Sequence, residues 1–97
     1  MHAHWGTFTK ATSLGNGLTF AENAMRRHGF AVWDLGNDGD YQVIGGTSDV
    51  IATVVCVPQS GNVWMTVSAY STDSGLAERT RNDIRADIVN RSLLDDG

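Results

Sequence analysis

The chain has 97 residues, 41% hydrophobic and 19% charged, with a formal net charge of −4 at pH 7. This is the size and composition of one globular domain. It argues against nucleic acid or an anionic membrane as a partner, since neither is drawn to a net negative field, and no apolar run approaches the ~20 residues of a membrane-spanning helix.

His4–Thr12, "HWGTFTKAT", predicts a strand rich in threonine and aromatics. Trp5, Thr7 and Thr9 would point to one face, and Gly6, Phe8 and Lys10 to the other. "SLGNGLTFAENAMRRHG" then predicts a helix. Gly15 and Gly17 weaken its start, and Thr19 with Glu22 has capping-box spacing. The firm part is therefore expected from Thr19, with a start near Ser13 as the alternative. Leu18, Ala21, Ala24, Met25 and His28 share one side. Arg26, Arg27 and His28 suit the negative end of the helix dipole, and Gly29 is a natural stop.

Four further strands are expected. They are Phe30–Leu35, Asp40–Gly46, Val50–Val57 and Asn62–Tyr70. Asn37–Gly39 has hairpin-turn chemistry, and a four-residue turn at Pro58–Gly61 joins the last two strands. In Asn62–Tyr70, Val63, Met65, Val67 and Ala69 form an apolar face. Trp64, Thr66, Ser68 and Tyr70 form a mixed one. The last element is a helix capped by Asp73 or Ser74. Leu76, Ala77, Thr80, Ile84 and Ile88 stripe one side, and Arg79–Asp83 and Asp87–Arg91 are spaced as i, i+4 ion pairs. The "DDG" tail is expected to fray.

The order β-α-β-β-β-β-α predicts a single α+β domain over residues 1–97, with β-α-β-β-β-α as the variant if Asn37–Gly39 is only a bulge. Two helices, each with one apolar stripe, would pack on one face of an antiparallel sheet of four to five strands, ferredoxin-like in general architecture. The other sheet face is then open.

Candidate chemistry was sought in "DLGNDGDYQVIGGTSD", Asp34–Asp49, which carries four aspartates and four glycines. A calcium loop wants oxygen ligands at positions 1, 3 and 5, Gly at 6 and Glu at 12. Counting from Asp34 puts Gly36 at position 3 and Gly45 at position 12. Counting from Asp38 gives Asp38, Asp40, Gln42 and finally Asp49, but position 6 is Val43. The stretch reads instead as two chain reversals around a strand. A phosphate loop fails as well. "GNDGD" and "IGGTSD" lack the lysine, and "GNG" at Gly15–Gly17 lacks the third glycine, which would be Phe20.

His2 and His4 are spaced to share a strand face, so a weak transition-metal site is one reading. The bland alternative is an unstructured N-terminus. Cys56, the lone cysteine, rules out an intrachain disulfide and a Cys-based zinc cluster, and reads as a small buried hydrophobe rather than a nucleophile. No serine, threonine or carboxylate has the neighbours of a catalytic group, so no cofactor is expected and the reading leans away from an enzyme. No signal peptide is expected in "MHAHWGTFTK". A cytoplasmic location is the default, with an exported mature form as the alternative.

Three pieces of the second half fall in a familiar order. They are "VIG" at Val43–Gly45, "VVCVP" at Val54–Pro58 and "AERTRNDIRADI" at Ala77–Ile88. The order resembles small bacterial α+β single-domain proteins with no assigned function. The resemblance implies the fold and carries no catalytic residue. It also implies that some members are exported.

The positive clue is aromatic. Trp5, Trp33, Trp64 and Tyr70, interleaved with Thr66 and its neighbours, form a candidate interface on the open sheet face. The first expectation is a non-enzymatic module that self-associates or binds a partner there or at a strand edge. A small-molecule binder or enzyme with a site near Trp33 and Trp64 is the second. The third is a metal binder through His2 and His4 or the Asp34–Asp49 turns.

Overall fold

Alternation in the sequence decides the architecture. Val63, Met65, Val67 and Ala69 recur every second residue and are fully buried, while the residues between them are half-buried. An extended strand sends successive side chains to opposite faces, so this spacing can bury only one side of a sheet. The computed structural model, which describes residues 1–34 and 41–91, shows what covers that side.

The described elements are β1 (His2–Lys10), α1 (Leu14–Arg27), β2 (Ala31–Asp34), β3 (Gln42–Gly46), β4 (Ile51–Gln59), β5 (Asn62–Ser71) and α2 (Ser74–Asn90). The strands form one five-stranded sheet in the order β1-β5-β4-β3-β2, with every neighbouring pair antiparallel. The protein is α+β, with both helices on the same sheet face, as the apolar stripes require. α2 lies over β1 and β5, and α1 over β2, β3 and β4. The chain shares with ferredoxin-like folds only that general arrangement. Among the described residues, no helix is long and apolar enough to cross a membrane.

The core joins Phe20, Ala21, Ala24 and Met25 of α1 and Ala77, Ile84 and Ile88 of α2 to the inward residues of β3, β4 and β5. Phe20 fills a central position that the Leu18–His28 spacing missed, because a glycine at 17 and alanines at 21 and 24 let α1 settle closely and bring a wider face into contact.

Several boundaries differ from expectation. α1 begins at Leu14, since the Ser13 hydroxyl accepts a hydrogen bond from the Asn16 N–H at 3.2 Å and caps the helix despite Gly15 and Gly17. The capping box does not form. Thr19 donates to the Gly15 carbonyl at 3.0 Å, and Glu22 pairs with Arg26 at 2.9 Å. β4 runs through Pro58 to Gln59, which lies opposite Asn62, so the reversal shrinks to Ser60 and Gly61. Gly61 has φ 81°, the left-handed backbone such a tight turn needs. At α2 the Asp73 carboxylate is the cap, accepting from Leu76 N–H at 3.1 Å. The expected Arg79–Asp83 pair does not form. The Asn37–Gly39 turn and the C-terminal "DDG" lie outside the described residues.

Asp87 holds the two helices together. Its side chain is only 8% exposed and takes a two-pronged contact from the Arg27 guanidinium, with Nε at 3.0 Å from Oδ2 and Nη2 on Oδ1. His28 Nε2 lies 3.3 Å from Oδ2, and Arg91 Nε lies 3.6 Å from Oδ1. His28 is the C-cap of α1, so one carboxylate of α2 gathers the cations at the end of α1. The Arg27 hydrogen bond holds the Asp87 carboxyl below its usual range against the opposing effect of burial, and the charges of Arg27, Arg91 and His28 add to the depression.

A group whose folded pKa is depressed adds stability above its unfolded pKa of about 3.9, and that stability is lost as pH falls through the folded value. Asp87→Asn is expected to be less stable at neutral pH and to lose less further stability between about pH 5 and pH 3, as read by urea denaturation across that range. A variant with the wild-type acid slope would show that Asp87 does not carry the linkage. A second test concerns Gly45 in β3. A Cβ there would meet the Ala31 carbonyl oxygen at 2.6 Å and Met25 Sδ at 3.0 Å. Because the closer atom belongs to the backbone of the paired strand, Gly45→Ala is expected to destabilise the fold by about 1–3 kcal/mol in the same assay.

A candidate interaction face on the open side of the sheet

The strand register assembles the uncovered face row by row. Trp5, Ser68, Thr53 and Ile44 lie side by side across β1, β5, β4 and β3. Thr7, Thr66, Val55 and Gln42 form the next row, followed by Thr9, Trp64 and Val57. On the other side of the first row stand Ala3, Tyr70, Ile51 and Gly46. None of these side chains carries a charge, and at the β2 end of the first row Asp34 pairs with Ile44.

All five residues singled out from the sequence, Trp5, Trp33, Trp64, Thr66 and Tyr70, lie on this face. Trp5 is 65% exposed and Trp33 58% exposed, whereas Trp64, Thr66 and Tyr70 are half-buried. The register between β2 and β3 shifts at Val32–Asp34. There the Trp33 indole lies across Gly46, so close that a Cβ would come within 2.7 Å of its ring. Glycine at 46 thus gives Trp33 its place on the face. The aromatics stand around a floor of Ser68, Thr53, Thr66 and Val55, side chains of small or medium size. The Thr66 hydroxyl in that floor is buried and makes no hydrogen bond, an uncommon state for a polar atom.

Arg81 and Arg85 of α2 extend over β1. β1 is an edge strand, and edges left bare invite pairing with another chain. Arg81 Nη1 donates to the Trp5 carbonyl at 2.9 Å, and Arg85 Nη2 donates to the Thr7 carbonyl at 3.4 Å. Lys10 Nζ reaches the Arg91 carbonyl at 2.6 Å, and Arg85 stacks over Phe8 at 5.3 Å. The i, i+4 spacing of Arg81 and Arg85 was the available signal. It became legible only once β1 was placed beneath α2.

The remaining candidates separate. Trp33 borders a cleft of about 260 Å³ with Met1, Ile51, Tyr70 and Thr72, while Trp64 lies toward the other end of the face, beside Val57. His4 Nε2 is 3.0 Å from the Ser74 hydroxyl, and His2 is exposed one strand repeat away. Among the described residues, no three His, Cys, Asp or Glu side chains come together to hold a metal. Of the calcium-loop series, residues 35–40 lie outside the described residues. Gln42 and Val43 face opposite sides of β3, and Asp49 sits in the β3–β4 turn. "GNG" lies in the first turn of α1, with Gly17 facing Val63 and Cys56.

The chain matches no protein-family model and no curated protein. The face therefore has to be interpreted from its own chemistry.

Cys56 lies on the other side of β4, fully buried, and burial pushes its thiol up to about 12. The thiolate is the reactive form. A thiol reagent such as DTNB is expected to leave Cys56 unmodified in the folded protein at pH 8 and to titrate it fully in guanidinium. Rapid labelling of the native protein would refute this placement.

Proposed function

We propose that this protein is a non-enzymatic module that pairs with a second copy of itself through the open sheet face. The observation that carries the reading is a five-stranded sheet with one bare face, on which two tryptophans are more than half exposed around an uncharged centre. Aromatic residues are enriched at protein interfaces relative to the rest of the surface.

Size supports the reading. Strands about 30 Å long and spaced about 4.8 Å apart give the sheet a planar footprint of roughly 600 Å², before the relief of its side chains is counted. A stable interface takes about 800 Å² from each partner. Charge supports it too. A two-fold contact brings each patch against its own copy, so any charge at its centre would face a like charge. The rows across β1, β5, β4 and β3 carry none. Its shape is self-complementary, with large aromatics around a floor of smaller residues, as interdigitating sheet-on-sheet packing requires. The arginines over the β1 edge favour the face over strand addition at that edge. The lack of positive charge in the rows across β1, β5, β4 and β3, with a net charge of −4, favours a protein partner over nucleic acid or an anionic membrane.

Sedimentation equilibrium or light scattering at micromolar to high micromolar concentration tests the proposal, and twice the monomer mass is the expected result. Trp64→Ala and Trp33→Ala are each expected to weaken the dimer by about 2 kcal/mol, roughly thirtyfold. A strict monomer at high concentration, or variants that dimerise like the wild type, would sink the proposal.

A further inference from the structure

A second feature lies on the helix side of the molecule, away from the open face. A cleft of about 290 Å³ opens between the end of α1, the β3–β4 turn and the first half of α2. That is close to the lower end of the ~300–1,000 Å³ typical of ligand pockets. Phe30, Val50, Leu76 and Ile84 give it an apolar wall. Thr80, Asp49 and Asp83 add polar groups to that lining.

Of those polar groups, Thr80 lies within the lining, while Asp49 and Asp83 are exposed at its rim. Thr80 is 7% exposed, yet its hydroxyl makes no hydrogen bond among the described residues. Asp49 is fixed through its backbone. Its N–H donates to the Thr47 hydroxyl at 3.1 Å, and its carbonyl accepts from the Ser71 hydroxyl at 2.7 Å. Its carboxylate has no ion-pair or hydrogen-bond partner among the described residues, and neither has that of Asp83, one turn beyond Thr80. His28 also lies at the rim, and its Nε2 is turned to Asp87 at 3.3 Å. The lining therefore offers two free carboxylates and a free hydroxyl beside an apolar wall, in a chain of net negative charge.

We infer that this cleft binds small organic cations in which one ammonium group sits on a compact apolar body. The ammonium donates to the Asp49 and Asp83 carboxylates and to the Thr80 hydroxyl, and the apolar part covers Phe30, Val50 and Leu76. An ammonium has three donors and matches a site made only of acceptors. A neutral analogue leaves both carboxylates unpaired, and an anion is repelled.

Benzylamine is a suitable probe, with benzyl alcohol and benzoate as the neutral and anionic controls. In a titration followed by ¹⁵N–¹H correlation spectra, benzylamine is expected to shift the amides of Thr47, Asp49, Val50, Thr80 and Asp83 to saturation. Benzyl alcohol should bind at least tenfold more weakly, and benzoate should cause no shift. Asp83→Asn, Asp49→Asn and the near-isosteric Thr80→Val are each expected to weaken benzylamine binding severalfold while keeping a native spectrum. Trp64→Ala should bind it as the wild type does, so this inference stands or falls independently of self-association. Equal binding of benzylamine and benzyl alcohol would overturn it. So would saturating shifts confined to the open sheet face, or unchanged affinity in both aspartate variants.

Discussion

The one-sided burial of the sheet is the constraint on which everything else depends, and β5 sets it. β5 lies between β1 and β4 and alternates buried and half-buried residues along its whole length. A slip of one residue would carry Val63, Met65, Val67 and Ala69 into solvent and push Trp64, Thr66, Ser68 and Tyr70 beneath the helices. Both neighbouring strands are bound to this register through almost their full length. The position of each aromatic on the open face therefore follows from the burial of a valine, methionine or alanine next to it in sequence.

Two helices suffice to cover one face of such a sheet, and a chain of 97 residues has nothing further among its described elements to cover the other. The molecule manages its surfaces unequally. Arg81, Arg85 and Lys10 close the β1 side with charge and hydrogen bonds to the backbone. The open face has no comparable protection and places tryptophans toward water. Charged residues are a common device for keeping an exposed sheet from pairing. Their presence at the β1 edge and absence from the rows across β1, β5, β4 and β3 set the two surfaces apart.

The helix side shows the same division between satisfied and unsatisfied groups. At one place the Asp87 carboxylate is saturated by Arg27, His28 and Arg91 and fixes the end of α1 to α2. At the other, reached along α2 from Asp87 to Asp83 and Thr80, the exposed Asp83 and Asp49 carboxylates have no partner among the described residues. A paired carboxylate contributes to the fold, whereas an unpaired one held in place by its backbone is available to a ligand. The distinction rests on what each group meets in space, since aspartates at 83 and 87 look alike in the sequence.

Periodicity and turn chemistry alone determined the element order, the α+β class, the inward face of β5, the stripes of both helices and the stop at Gly29. These are local consequences of side-chain spacing and of the backbone each residue tolerates, so neighbours in sequence carry the information. Within Asp34–Asp49 the described part beyond residue 41 is the strand Gln42–Gly46 followed by the reversal at Thr47–Asp49, as the alternation and turn chemistry of those residues predict. Only the tertiary structure decided the rest. Ser13 prevailed over the Thr19–Glu22 box because packing of Gly17 and Phe20 on the sheet makes the extra turn worth forming. Trp33 reached the open face through a register shift and a glycine on the adjacent strand. Arg81 and Arg85 met β1, and Asp49 came to line one cleft with Thr80 and Asp83, across separations of 31 to 78 residues in the chain. Contacts of that range depend on how the strands are ordered, which no local pattern encodes.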